Sequence, residues 1–148
     1  MMPITVRIAV ILLALTGALA HADTATLYTR LGGETALKKI SSELIDRVAA
    51  DPRVGSSFKD SNLCRVKEKL TEQLCQISDG PCTYTGDSMR ETHAGHHIRE
   101  TDFYAMVEYL KAILREHGVG LRETNELLRR LAPMKRDIVE AAAKTAPP

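Results

Sequence analysis

Tryptophan is missing from this chain, and aromatic residues make up only 4 % of it. A small domain with so few rings has little bulk for its centre unless something other than side chains helps to fill it. Neither sign of charge is in excess, the formal net charge being +1 at pH 7. A balance this close to neutral argues against the basic face that nucleic-acid binding needs. No apolar run comfortably reaches the roughly 20 residues of a membrane-spanning helix. Sustained period-two alternation is also lacking, so no half-buried strand is expected. There is no internal repeat, coiled-coil seam or long linker.

The chain begins with a recognisable leader. Arg7 precedes an apolar run from Ile8 to Ala20, and Ala20-His21-Ala22 closes it. A basic start, a short apolar centre and an A-x-A end describe a secretory signal peptide over 1–22. An uncleaved membrane anchor is the competing reading, and the short run argues against it. Cleavage after Ala22 removes Arg7 and leaves all 19 acidic residues, so the mature domain is formally neutral. It is long enough for one core. An exported, periplasmic location is expected, with no membrane attachment once the leader is cut.

Export bears on Cys64, Cys75 and Cys82, because an oxidising compartment favours disulfides. Cys64 and Cys75 fall on one expected helix, eleven residues apart. That separates them by roughly 16 Å at ~1.5 Å per residue, well beyond the ~7 Å a disulfide tolerates. Cys75–Cys82 is therefore the expected pair and Cys64 the odd thiol. The alternative is three reduced core cysteines.

Apolar spacing is helical throughout. Tyr28 to Leu31 predicts a short first helix ended by Gly32-Gly33. Ala36, Leu37, Ile40, Leu44, Ile45 and Val48 predict a helix over roughly 34–50, stopped by Asp51-Pro52. Asn62 is a suitable N-cap for a helix lined by Leu63, Val66, Leu70, Leu74 and Ile77. Asp79-Gly80-Pro81 breaks it. Ser88 and Glu91 have capping-box spacing and start a short helix that ends near Gly95. The next helix, about 100–117, presents Phe103, Met106, Val107, Leu110, Ile113 and Leu114, and Gly118 closes it. A last helix carries Leu127, Leu128, Leu131, Met134 and Ile138, bent at Pro133. The folded domain should end near 140, and the tail over 141–148 should fray.

The chemistry concentrates in Met89 to Ile98, which holds His93, His96 and His97. His93 follows Met89 by one helical turn, so both project to one side. Neutral imidazole is a good iron ligand, and a single axial histidine is the usual globin arrangement. Phe58, Val66, Leu70, Met89, Ile98 and Phe103 are the nearest supply of apolar walls for a flat cofactor. A lone histidine is more often a packed or surface residue than a ligand. The three histidines could instead form a zinc or copper site. Gly95 interrupts the helix that would bring them together, and no carboxylate or cysteine stands at a complementary spacing. His96 and His97 read most simply as solvent-facing turn residues. The covalent-haem signature C-x-x-C-H is absent, so any haem here is a non-covalent haem b.

Taken in register, these landmarks resemble the group 1 truncated haemoglobins. The matching residues are Leu27-Tyr28 with Leu31-Gly32-Gly33, Asp51-Pro52 with Phe58, and Gly80-Pro81-Cys82-Thr83-Tyr84-Thr85-Gly86. Met89, His93-Ala94-Gly95, Ile98, Asp102-Phe103 and Leu131-Ala132-Pro133 continue the series. The resemblance covers about 26–140. It implies an all-α, two-over-two helical sandwich over 23–140, with His93 as the proximal ligand. It also implies that Met89, Ile98 and Phe103 lie beside His93, and that Phe58 meets the porphyrin edge. A second family glycine pair is Asp79-Gly80 here, which leaves that turn's geometry open.

The distal side departs from the family pattern. Where many members carry a tyrosine on the second helix, this chain has Ile45, with Leu44 before it. Leu70 stands where a glutamine or leucine is frequent on the third. Ile45, Val66 and Leu70 offer no hydrogen-bond donor to a ligand. Gln73 and Lys69 are the polar candidates. In some relatives the position of Lys69 carries a residue that binds iron directly, and a lysine amine does so only when deprotonated, which burial favours. Lys69 pairing with a haem propionate at the rim is the preferred alternative.

The expected function is reversible binding of small diatomic ligands (O2, NO or CO), more a ligand-binding protein than a dedicated enzyme. A periplasmic redox role is the alternative: nitric oxide dioxygenation, peroxide reduction or electron transfer with an unidentified redox partner. A cofactor-free helical module kept by its Cys75–Cys82 bridge ranks last.

Overall fold

The computed structural model describes residues 25–140. The leader expected over 1–22 and the tail expected over 141–148 lie outside the described residues. Among the described residues there are helices and turns but no strand. None of these helices is long and apolar enough to cross a membrane.

Helix α1 (Leu27–Arg30) starts where the Thr26 hydroxyl accepts the Thr29 N–H at 3.2 Å. Gly32 and Gly33, at φ +97° and +69°, turn the chain into α2 (Gly33–Ala50). Only glycine occupies this region freely, so the tight turn needs the pair. After α2 a 3-10 turn spans Gly55–Phe58, and α3 (Leu63–Ile77) follows. Asn62 caps α3, its Oδ1 accepting the Arg65 N–H at 3.2 Å. Helix α4 is only Met89–His93, and α5 runs Glu100–Glu116. Gly118, at φ +74°, ends that run. Helix α6 (Leu121–Leu131) leads through a 3-10 turn (Ala132–Met134) to α7 (Lys135–Ile138). The last expected helix is thus divided at Pro133, whose missing N–H breaks the α-helical ladder.

Helix α2 packs chiefly on α3 and α5. It supplies Leu37, Ile40, Leu44 and Val48 to the core, at helical steps. Leu74, Cys75, Leu110, Ile113, Leu114 and Leu127 meet them, and Leu27 and Leu31 cover one end. Fully burying each such leucine or isoleucine stabilises by roughly 1.5–3 kcal/mol. Polar contacts tie the ends of elements together. Tyr28 N–H donates to Ser78 O at 2.7 Å, and the Arg30 guanidinium pairs with Glu123 and Glu126. The buried Asp51 carboxylate, just after α2, accepts from Arg53 N at 2.8 Å and from the Tyr109 hydroxyl at 2.9 Å.

One corner of the molecule is built differently. Helices α4 and α7 contain no buried residue and pack against each other. Polar contacts hold this corner: Arg90 with Asp137 at 2.7 Å, Gly95 N–H with Glu140 Oε1 at 2.9 Å, and Glu140 N–H with Ile98 O at 3.0 Å.

Candidate functional site

Helix α4 begins with the expected capping box. Ser88 Oγ accepts the Glu91 N–H at 3.2 Å, and Glu91 Oε2 accepts the Ser88 N–H at 3.1 Å. This satisfies two otherwise unpaired donors and fixes where the helix starts. Five residues later stands His93, half-buried, its Nδ1 at 2.7 Å from the Met89 carbonyl oxygen. A carbonyl oxygen only accepts, so Nδ1 carries the proton and Nε2 keeps its lone pair. Burial lowers the imidazole's pKa, with His96 adding to that and the Met89 carbonyl opposing it. The ring is therefore neutral near pH 7.

The apolar residues nominated as walls share one property. Phe58, Val66, Leu70, Met89, Ile98 and Phe103 are all half-buried rather than sealed in the core. Ile45, on α2, differs in being 1 % exposed. Phe58 and Leu70 also rest against the core, and the Phe103 ring meets Tyr104 edge-on at 5.8 Å. Six half-exposed apolar groups on α3, α4, α5 and the flanking turns are the kind of surface a flat apolar group covers. Two surface recesses lie elsewhere. One of about 450 Å³ is lined by Ala132, Pro133, Lys135, Arg136 and Val139, and one of about 340 Å³ by Ser56, Ser57, Asp60, Gly95, His96 and His97. Neither is lined by the nominated walls.

Of the polar candidates on α3, Lys69 turns toward the segment before α4 and Gln73 toward α4 and the turn before α7. The Gln73 amide nitrogen lies 3.0 Å from Met89 Sδ and 3.4 Å from Met134 Sδ. Lys69 Nζ donates to Glu72 Oε1 at 2.8 Å and to Thr85 Oγ1 at 2.6 Å. Glu72 also accepts from the Thr85 N–H and hydroxyl, both at 2.9 Å. The Lys69 ammonium, seconded by the Thr85 N–H, holds the Glu72 carboxyl down at about 2. Glu72 was not named from the sequence, and Thr85 and Met134 were named only as a matching residue and a helix-face residue, not as site partners. The i,i+3 spacing of Lys69 and Glu72 was a usable signal for the ion pair, whereas nothing local paired Thr85 with Glu72 or Met134 with Gln73.

His96 and His97 are exposed. The His96 ring faces Ser57 O at 3.1 Å, and His97 Nδ1 faces Glu140 Oε2 at 3.0 Å. Among the described residues no group of three or more His, Cys, Asp or Glu side chains could hold a metal ion. The sulfur atoms of Cys75 and Cys82 are 2.00 Å apart, with Cα atoms 5.8 Å apart, while Cys64 is free and exposed. Asp79 adopts φ +63°, supplying the left-handed residue of the turn that the Asp79-Gly80 pair left open.

Against known proteins, the bacterial-like globin family matches residues 26–140. The chain is 32 % identical over 110 residues to the group 1 truncated hemoglobin of Nostoc sp. strain MUN 8820, covering 74 % of this chain and 93 % of that one. It belongs to the group 1 truncated haemoglobins. The Tetrahymena pyriformis truncated hemoglobin in its Fe(III) form superposes with a TM-score of 0.75 at 32 % identity, over 79 % of this chain and 100 % of that one. The 2/2 hemoglobin of Synechococcus sp. PCC 7002, solved in the cyanomet state with covalently attached heme, shares the fold at TM-score 0.72 and 24 % identity, over 78 % of this chain and 98 % of that one. The architecture described above is accordingly the two-over-two globin sandwich. As a truncated haemoglobin the chain is a haem protein that binds diatomic ligands such as O2. Its residues fit that cofactor on their own evidence: an imidazole on α4 with a free Nε2 lone pair, and half-exposed apolar side chains on α3, α4 and α5.

Proposed function

We propose that this truncated haemoglobin is an exported, periplasmic haem b protein in which His93 is the proximal ligand and O2, NO or CO binds on the opposite side. The observation that carries this reading is the His93 Nδ1–H bond to Met89 O at 2.7 Å. It fixes the tautomer and the orientation of the ring, as the outer hydrogen bond of a ligating histidine does. Haem, when bound, would supply an iron that takes a diatomic ligand. Phe58, Met89, Ile98 and Phe103 would bury its apolar faces and edges. Ile45, Val66 and Leu70 would line the ligand side and donate no hydrogen bond to it. A ligand that depends on a donor, such as O2, is then held weakly, and CO and NO are held comparatively well.

Non-covalent attachment is supported by the fate of the thiols. Cys75 and Cys82 lie at bonding distance from each other, and Cys64 sits exposed at the start of α3. Cys64 is then the one free thiol, and no C-x-x-C-H motif accompanies it. The pairing of Cys75 with Cys82 also suits the oxidising compartment to which the leader over 1–22 points.

Lys69 separates this reading from the redox alternative, in which it would be the sixth ligand. Its ammonium already has two partners, Glu72 and Thr85, and ligation would require leaving both. This supports an open sixth position. Ferric and ferrous absorption spectra of the mature protein, its His93→Ala variant and its Lys69→Ala variant test both points. His93→Ala should abolish the haem spectrum, and Lys69→Ala should leave the spin state unchanged. A low-spin to high-spin change in Lys69→Ala would favour the redox reading, and a wild-type protein that stays colourless with haemin would defeat both.

A further inference from the structure

Successive contacts stitch one face of α3 to the segment that leads into α4. Cys75 meets Cys82, and the Gln76 side-chain oxygen accepts the Tyr84 N–H. Glu72 accepts the Thr85 N–H and hydroxyl, each at 2.9 Å, and the Gln73 amide reaches Met89. Glu72 is the most connected of these rungs, since Lys69 Nζ also donates to it at 2.8 Å. Thr85 stands three residues before Ser88, the N-cap of α4.

These polar rungs matter because the core does not fix α4. None of its residues is buried, so its place relative to α3 depends on α7 and on this stitching. Hydrogen bonds to a carboxylate are roughly twice as strong as neutral ones, and the Glu72 side chain is only 23 % exposed.

We propose that Glu72 is a positioning residue for the haem site: through Thr85 it sets where α4 carries His93 relative to α3. The idea rests on His93 being the iron ligand. Glu72 acts from the ligand-side helix on the segment that bears the proximal histidine. Glu72→Ala removes all three hydrogen bonds, including both to Thr85. Glu72→Gln keeps a side-chain oxygen for the Thr85 N–H. Glu68→Ala, at an exposed position of α3, leaves both Glu72–Thr85 bonds in place.

The test uses the mature chain, with three readouts. Amide hydrogen exchange is followed in the apoprotein, haem transfer to excess apomyoglobin in the haemin-loaded protein, and the iron–histidine stretching frequency in the ferrous protein. Glu72→Ala should speed exchange at 85–93 while leaving α2 and α5 unchanged. It should also release haem roughly three- to tenfold faster, on the scale of lost charge-assisted bonds discounted for exposure, and shift the iron–histidine frequency. Glu72→Gln should restore most of the loss. Glu68→Ala should stay within about twofold of wild type, the scatter of surface substitutions. The proposal is overturned if exchange at 85–93 is unaltered in Glu72→Ala, or if exchange rises equally throughout the chain. Should haemin fail to bind even the wild-type chain, the haem assignment falls. The apoprotein exchange would still decide whether Glu72 governs the segment carrying His93.

Discussion

His93 Nδ1 and the Met89 carbonyl oxygen lie 2.7 Å apart, one turn from each other on the same five-residue helix. The acceptor is backbone, so any residue at 89 would preserve it as long as the turn forms. The thioether of Met89 is left to face Gln73, and the two parts of one residue thus serve different neighbours. His93 itself contributes little to the core. His93→Ala should therefore abolish haem absorption while unfolding stability of the apoprotein changes by no more than about 1 kcal/mol. Visible absorption and thermal melts of the variant give both answers. Retention of an unchanged haem spectrum would remove His93 from its role.

On the proposed ligand side, Ile45 is 1 % exposed, and the half-buried Val66 and Leu70 stand on α3. Ile45→Tyr adds a hydroxyl donor where the wild type has none. The larger ring also overpacks the site, which costs about 1–3 kcal/mol. The expected outcome is slower O2 dissociation and slower oxidation of the ferrous protein in air, together with a lower Tm. Stopped-flow dissociation rates measure the first effect. A rate equal to wild type would mean that position 45 does not face the ligand.

Much of the fold is legible in the sequence because its signals are local. Asn62 caps α3, Ser88 and Glu91 box the start of α4, and Gly118 ends the α5 run, each through atoms within one turn. His93 could be nominated for the same reason, its partner being four residues back. Glu72 with Thr85, and Gln73 with Met89 and Met134, were illegible because the partners belong to different elements. Periodicity marks Val66 and Leu70 as apolar helix positions but cannot say that they stay half-exposed while Leu74, on the same face, is sealed in the core. That difference separates a half-exposed stretch of α3 from a core-facing one.

Acid stability has a definite sign at Asp51. The Arg53 guanidinium and N–H, with help from the Tyr109 hydroxyl, hold this carboxyl well below its ordinary value of 3.8. The folded state thus resists protonation more than the unfolded chain does. The stability Asp51 confers is complete above pH 3.8 and fades as pH falls toward the lower, folded value. Asp51→Asn should be less stable at pH 7, and the wild-type and variant curves should converge below pH 3.8. Urea unfolding across the acid range checks this. Parallel curves would show that Asp51 titrates normally.

The turn after α3 separates a tolerated departure from an essential glycine. A Cβ at Gly80 would lie 2.6 Å from Cys75 Sγ, 2.6 Å from Tyr28 Cδ2 and 2.8 Å from the Cys75 carbonyl oxygen. The last of these is backbone and cannot swing aside. Gly80→Ala should cost about 1–3 kcal/mol, as overpacking does, and lower the Tm. Asp79 is the opposite case: at φ +63° it accepts a left-handed conformation that Asp tolerates better than most residues. Its carboxylate offsets part of that by pairing with Arg130 at 2.7 Å, an exposed pair worth about 0–1 kcal/mol. Asp79→Gly relieves the backbone and loses the pair, so the Tm should barely move. Asp79→Ala loses the pair and keeps a Cβ at positive φ, which should cost on the order of 1–2 kcal/mol. A melt in which Gly80→Ala matches wild type, or in which Asp79→Gly falls as far as Asp79→Ala, would show that this turn is not under the constraint its geometry implies.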